Sequence, residues 1–452
     1  MTDFSPLRAA VSGTVLEPSD TGFAEELSGF NLLYTHTPEV VVAATDATDI
    51  AAAVRFALDH SLAVRPLATG HGDHSAITDG IVVTTRHLDS VSIDAATRIA
   101  TIAAGATWGA VVAAAADADL APITGSASTV GVVGYLLGGG LGPLARSHGF
   151  SSDYVRGFTV VTGTGQVVEV TADENPDLFW ALRGGKGGLG IVTEVRLELV
   201  SIPSLYAGSI LFPTPAIEPA LRAWVEFTTA APSDVTTSVA IVRFPSIEQV
   251  PPPLRGQTLL ALRFAFPGSI EDGERIIAPL RAAAPAMMDQ VGLLDPRDIA
   301  TIHNDPSDPG KASSTGALLD SIDQDFATAL LAVAGPDQQV PLVAVEVRHI
   351  GGATHTDVDG SSAVGGRSAN YTLNAVASLM QPGIEPAVEA AIHALTVALA
   401  PWFSPQTNIN FAGLPHDEAH FRCAWVPDAF DRLAALRTEV DPVGVFPYGP
   451  SY

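Results

Sequence analysis

A single cysteine, Cys423, leaves the chain unable to form an internal disulfide, a multi-cysteine zinc site or an iron–sulfur cluster. Basic residues are scarce: 23 Lys and Arg face 49 Asp and Glu, for a formal net charge of -26. Binding nucleic acid normally needs a basic face, so it is not expected as a partner, and anionic membrane surfaces are disfavoured for the same reason. No long hydrophobic run exists. The longest near-apolar stretch, 102 to 116, is mostly Ala and Gly and ends at Asp117, too short and too weakly apolar to cross a bilayer. The segment MTDFSPLRAA has no basic region leading into an apolar core, so no signal peptide is expected and a cytoplasmic location is the default. Also missing are a G-x-x-x-x-G-K-[ST] phosphate loop and a G-x-S-x-G elbow. Cys423 sits among apolar and aromatic neighbours in FRCAWV, so a nucleophilic hydrolase has no visible nucleophile.

What is abundant is apolar residue, 47% of 452, enough for two or three domains with substantial cores. The most informative stretch is Gly125 to Gly142, GSASTVGVVGYLLGGGLG, with seven glycines among small and branched apolar residues. Glycine at this density lets main-chain N–H groups press against a ligand, and a phosphate-bearing cofactor is the first suspect. A flexible linker is a poor account, because linkers lack the interleaved Val and Leu. Two matches to a dinucleotide fingerprint fail on context. GKGGLG at 185–190 follows a helix and precedes a strand, the reverse of the required order, and GLGPLA at 140–145 has no strand leading in. A nicotinamide site is therefore not expected. HDEAH at 416–420 has Asp417 where a zincin has Glu, and reads as surface histidines; His71 and His74 in TGHGDH suit a phosphate or a ring better than a metal, so no metal is expected.

Residues 38 to 86 alternate strand, helix, strand, strand; hairpins at VSIDAATRIATIAAG and GFTVVTGTGQVVEVT, the latter turning at Thr164-Gly165, flank the glycine tract. After Pro203 longer helices (roughly 216 to 230, 270 to 283 and 384 to 400) accompany the strands VTTSVAIVRF, LLALRFAF, LVAVEVRHI and NYTLNAVAS, the pattern of an antiparallel sheet with helices on one face. Alternation in LVAVEVRHI puts Glu346 and Arg348 on one strand face and His349 on the other, where a structural ion pair and a site role are both open. Asn408 and Asn410 in TNINF are expected to share a strand face, and Tyr371 and Asn374 lie in a further strand; polar groups in apolar strands fit a cavity wall.

Taken in order, VRPLATGHG, GSASTVGVVGYLLGGGLG and ENPDLFWALRGGKGGLGIVTEV resemble the FAD-linked oxidoreductases of the vanillyl-alcohol oxidase superfamily, nearest the berberine-bridge-enzyme-like (BBE-like) oxidases. The resemblance implies an α+β protein: a PCMH-type bipartite FAD-binding domain over 1–203, a substrate domain of antiparallel sheet plus helices over 204–405, and a C-terminal segment, 406–452, returning to the FAD domain. It also implies that Ala68, Thr69, Gly70, His71, Gly72 and His74 of the first loop, with Gly125, Ser126, Thr129, Gly131, Val132, Gly134, Tyr135 and Gly142 of the tract, hold FAD through main-chain amides. Ile191 and Val192 would lie along the adenosine half, with Phe446 and Tyr448 as candidate flavin neighbours.

In such proteins the histidine of the first loop bonds to the flavin 8α carbon, and His71 stands there. The cysteine that makes a second bond in many relatives is replaced by Ala127, so the tether runs through His71 only; Val130 matches the oxygen-permissive choice at a gate position. Lys186 interrupts the third glycine motif. The expected activity is that of an oxidase. Hydride passes from an alcohol, sugar or amine C–H to flavin N5, and dioxygen takes the electrons to give hydrogen peroxide. Tyr135, Glu346, Arg348, Tyr371 and Asn410 are the candidate catalytic residues, with Glu346 or a tyrosine as base and Arg348 as anion holder. A non-oxygen acceptor and a flavin protein without turnover are the alternatives. Substrate and oligomeric state are not legible.

Overall fold

The runs VVVA and IVVT have no polar alternation, and strands of that kind are stable only with both faces covered. They form the centre of a four-stranded sheet in a computed structural model that describes residues 2–72, 74–413 and 418–449. Its strands are β1 (Thr14–Leu16), β2 (Val40–Ala43), β3 (Val64–Leu67) and β4 (Ile81–Thr84), in the order β1-β2-β4-β3. Both β2 and β3 run parallel to β4. The connecting helix Ala47–His60 starts where the Asp46 carboxylate accepts the amides of Thr48 and Asp49, and ends at Ser61 in the left-handed conformation. Its fully buried Ile50, Val54 and Ala57 cover one face of the sheet.

Both expected hairpins form, as β5 (Val91–Asp94) with β6 (Ile99–Ala103) and β7 (Val155–Val161) with β8 (Val167–Val170). Between them β9 (Ile191–Glu198) pairs with β6 and β7, giving the antiparallel order β5-β6-β9-β7-β8. The third sheet holds β10 (Tyr206–Phe212), β11 (Thr236–Arg243), β12 (Thr258–Phe266), β13 (Met288–Asp289), β14 (Gly292–Leu293), β15 (Ala312–Leu319), β16 (Ala344–His349) and β17 (Tyr371–Ser378). Its order is β13-β10-β12-β11-β16-β17-β15, with β14 also on β10. Helices Ile217–Thr228, Ile270–Arg281, Gln324–Ala334 and Glu385–Leu399 cover one face, burying Phe212, Trp224, Phe264 and Phe326 in the largest core. Because side chains alternate along a strand, the other face of this sheet turns toward the glycine tract.

The C-terminal segment packs back on the first two sheets: Phe421, Trp425 and Leu433 join the core of the second sheet, Val445 and Phe446 that of the first. The strand expected over TNINF does not form. The Asn408 side chain accepts the Asn410 amide and the chain turns there instead, a local bond that competes with a ladder. Among the described residues no helix is long and apolar enough to cross a membrane.

Arg146, just beyond the glycine tract, fastens the third sheet to it. The guanidinium donates to the carbonyls of Val235, Pro232 and Ile350 and to His349 Nε2. Burial and the adjacent Arg146 push the His349 pKa down to about 3, so the imidazole is neutral and accepts that bond. Arg146→Ala strands these buried acceptors and is expected to cost on the order of 3 kcal/mol, read as a lower Tm in thermal denaturation with the far-UV circular dichroism unchanged.

Candidate functional site

Two loops face each other where β3 ends and the glycine tract begins. The Thr69 hydroxyl accepts the Gly131 amide (3.3 Å), and His71 Nε2 lies 3.0 Å from the Thr129 hydroxyl. The His71 ring stacks on Phe30 with centroids 3.7 Å apart. The segment carrying Phe30 is tied to the first loop by Phe30 N–H to Thr69 O and to the third sheet by Asn31 Nδ2 to Ala312 O. Among the described residues, the amides of Thr69, Gly70 and Gly72 on one loop, and of Ser126, Ala127, Ser128 and Thr129 on the other, donate to no protein acceptor. Idle donors on two facing loops are available to the anionic groups of a ligand.

Further along, the tract meets a second loop and the C-terminal segment. Asn410 Nδ2 donates to Tyr135 O (2.9 Å), and Lys186 Nζ donates to Gly134 O (2.8 Å) and Asn410 Oδ1 (2.7 Å). A Cβ at Gly138 would lie 2.0 Å from Asn410 Oδ1, so glycine is required there; a Cβ at Gly134 would meet nothing within 4 Å, an open face. The Tyr135 ring packs edge-on to Trp108, centroids 5.6 Å apart, between Gly125 and Gly140. Burial pushes its phenol pKa up, with Ser151 and Arg348 acting weakly the other way, and its hydroxyl is buried.

Opposite stands the free face of the third sheet. Register aligns Arg263, Ser238, Arg348 and Thr372 in one row across β12, β11, β16 and β17. Glu346, one row over, accepts Ser238 Oγ (2.8 Å) and Arg263 Nη1 (2.9 Å) at Oε1, and Arg348 Nε (2.9 Å) at Oε2. Burial alone would raise its pKa, but the two guanidiniums hold it well below the usual carboxylate range. Arg348 Nη1 donates to no described residue, and the guanidinium lies over the Phe411 ring. Asp305 links this wall to the tract by accepting Ser126 Oγ at 2.6 Å. Neutral His303, buried beside Glu346, completes it.

The structure thus brings Tyr135, Arg348, Asn410 and Glu346 to one junction, and separates others from it. Tyr371 faces away: it belongs to the helix-covered core, stacks on His349 and donates its hydroxyl to Thr228, so it is not a candidate base. Glu346, ionised and clamped by two arginines, is an anchor for Arg348 and a poor base. The side chains of Val132, Ile191, Val192 and Phe446 are buried in cores, which leaves the first three only their main chain to offer a ligand and removes Phe446 as a flavin neighbour. Gly142 is explained without a ligand, since a Cβ there would lie 1.8 Å from Thr124 O. Tyr448 packs on Phe421 and over the Gly187–Gly188 turn, and His74 is exposed. Of the HDEAH segment, His416 and Asp417 lie outside the described residues, and the rest opens the short helix Glu418–Arg422. Sequence reasoning missed Arg263, Asp305 and His303, which only strand register and the 303–311 loop bring to the site.

A main-chain cradle set against a polar sheet wall is the kind of site that holds an extended, phosphate-bearing cofactor. Residues 38–171 match the FAD binding domain family. The (R)-6-hydroxynicotine oxidase of Paenarthrobacter nicotinovorans is 36% identical over 204 residues, 44% of this chain and 44% of that one, so the match spans under half of that relative's length. The solved structure of 6-hydroxy-D-nicotine oxidase from Arthrobacter nicotinovorans aligns with a TM-score of 0.83 and 25% identity over 98% of each chain. Glucooligosaccharide oxidase from Acremonium strictum, whose FAD is 6-S-cysteinyl, 8α-N1-histidyl, aligns with a TM-score of 0.82 and 20% identity over 98% of each chain. The chain carries an FAD binding domain, its relatives include FAD-linked oxidoreductases, and it shares its fold with BBE-like 1 of Physcomitrella patens (TM-score 0.84, 18% identity over 99% of this chain and 98% of that one). FAD fits the residues present: the idle amides suit its pyrophosphate, and the open face at Gly134 leaves room for a ring. Gly134→Val is expected to leave the Tm of cofactor-free protein within about 2 °C but to weaken FAD binding at least tenfold, measured by fluorescence titration.

Proposed function

We propose that the protein is an FAD-dependent oxidase that takes a hydride from an alcohol, sugar or amine-type C–H, with dioxygen as acceptor and hydrogen peroxide as co-product. The observation that carries this reading is the meeting of the amide cradle with the Arg348 wall at Tyr135 and Asn410. Amine and sugar are the substrate types that the names of the nicotine and glucooligosaccharide oxidases contain. Bound FAD supplies a two-electron acceptor for the hydride.

The protein's own part is positional and electrostatic. Glu346 fixes the Arg348 guanidinium through Nε and Nη2, which aims the remaining Nη1 donor at an electronegative group on the substrate. Tyr135, neutral and buried, backs this edge as a packing residue beside Arg348. Asp305 replaces Glu346 as the proton acceptor, because it is half-buried, bonded to Ser126 and not clamped by two guanidiniums. The phenyl face of Phe411 keeps Arg348 from folding out of place. His71, oriented by Thr129 and Phe30, is the single tether to the flavin, with Ala127 unable to form a second.

Acid precipitation of the holoenzyme is expected to leave yellow colour in the pellet, and His71→Ala to release it to the supernatant; a colourless wild-type pellet would refute the bond. Asp305→Asn is expected to lower kcat/KM about 10²- to 10³-fold with FAD content unchanged. That loss is read as peroxide formation across a panel of alcohols, oligosaccharides and cyclic amines. Flavin bleached by a substrate without air, but yielding no peroxide on aeration, would exclude the oxidase.

A further inference from the structure

The chain has only two lysines, and one of them, Lys186, stands in the third glycine loop with a positive φ of 66°. A non-glycine residue held there costs roughly 1–2 kcal/mol, which other interactions of that residue must offset. The side chain is half-buried and its Nζ is fixed by Gly134 O and Asn410 Oδ1, both neutral oxygens. No carboxylate of the described residues lies within 4 Å of it. An ammonium has three N–H donors, and two are used, so one donor and a whole uncompensated charge remain. Desolvation accordingly brings its pKa down to about 8. The carbonyl it grips belongs to Gly134, the tract residue beside which a Cβ would meet nothing within 4 Å.

We propose that Lys186 supplies the positive charge for the reduced flavin, so that its counter-ion is the cofactor's ring and no group of the protein. The proposal rests on the FAD reading of this site, and needs no particular substrate. When two electrons and one proton, together a hydride, enter the ring from a donor, the ring gains one negative charge unless a second proton follows. A fixed ammonium stabilises that anion and leaves the oxidised, neutral ring alone, which raises the reduction potential. Lys186 is on this account a positioning and electrostatic residue for the cofactor.

The test uses purified holoenzyme and two equilibrium readouts independent of turnover: the midpoint potential by dithionite titration against dyes, and the dissociation constant for sulfite, which adds to an electron-poor flavin. Lys186→Gln and Lys186→Met are expected to shift the reduction equilibrium at least tenfold toward the oxidised form, about 30 mV for two electrons, and to weaken sulfite at least tenfold. Lys186→Arg, which keeps the charge, is expected to stay within threefold of wild type on both. Neutral variants that match wild type on both readouts overturn the proposal. So does loss of FAD from both neutral variants, which would make Lys186 a structural clamp. Inactivity toward every tested substrate would sink the oxidase reading and leave these two measurements unaffected.

Discussion

Everything at this site depends on one contact between main chain and side chain, the seat of the Asn410 amide against Gly138. With a Cβ at 138 the amide could not reach Tyr135 O, and Asn410 Oδ1 would not be there to receive Lys186. Three separate stretches, the tract, the third glycine loop and the C-terminal segment, are closed into one hydrogen-bonded knot. Once that knot is tied, the segment Ser126 to Thr129 lies against the His71 loop and Tyr135 stands near Arg348 of the third sheet. Glycine thus serves two purposes in the tract: close approach at 138 and 142, and open space at 134.

The wall works by fixing charge. Two arginines around one carboxylate would be a poor source of stability, because desolvating three charges offsets most of their attraction. Their value lies in orientation, since the Glu346 carboxylate accepts from both guanidiniums and from Ser238, and Arg348 can present only its remaining edge. The cradle carries the opposite logic, with donors left unpaired and Lys186 left uncompensated. One side of the junction is neutralised internally, and the other waits for a ligand's charge.

The local elements were legible because each has a local cause. The strand–helix–strand–strand order over 38–86, the two hairpins and the alternation that separates Glu346 and Arg348 from His349 are consequences of near neighbours, and the structure repeats them. The expectation for TNINF failed on an equally local effect of the other sign, the Asn side chain bonding its own backbone. Tyr371 misled for a different reason. A tyrosine in an apolar strand looks like a cavity residue until register shows which face it occupies, and here its hydroxyl finds Thr228 inside the core.

By itself the sequence pointed to an FAD-binding domain: glycines where main chain must come close, and His71 and Ala127 at the places where the family it resembles carries its tethers. Those features are contiguous, so their spacing survives without coordinates. Only the tertiary structure assembled the wall proposed as the substrate side. Arg263, Ser238, Arg348 and Thr372 lie on four strands spread over more than a hundred residues, and pairing register alone makes them a row. Asp305 and Lys186 are single residues in loops, given meaning by the Ser126 hydroxyl, the Gly134 carbonyl and Asn410 that folding carries to them.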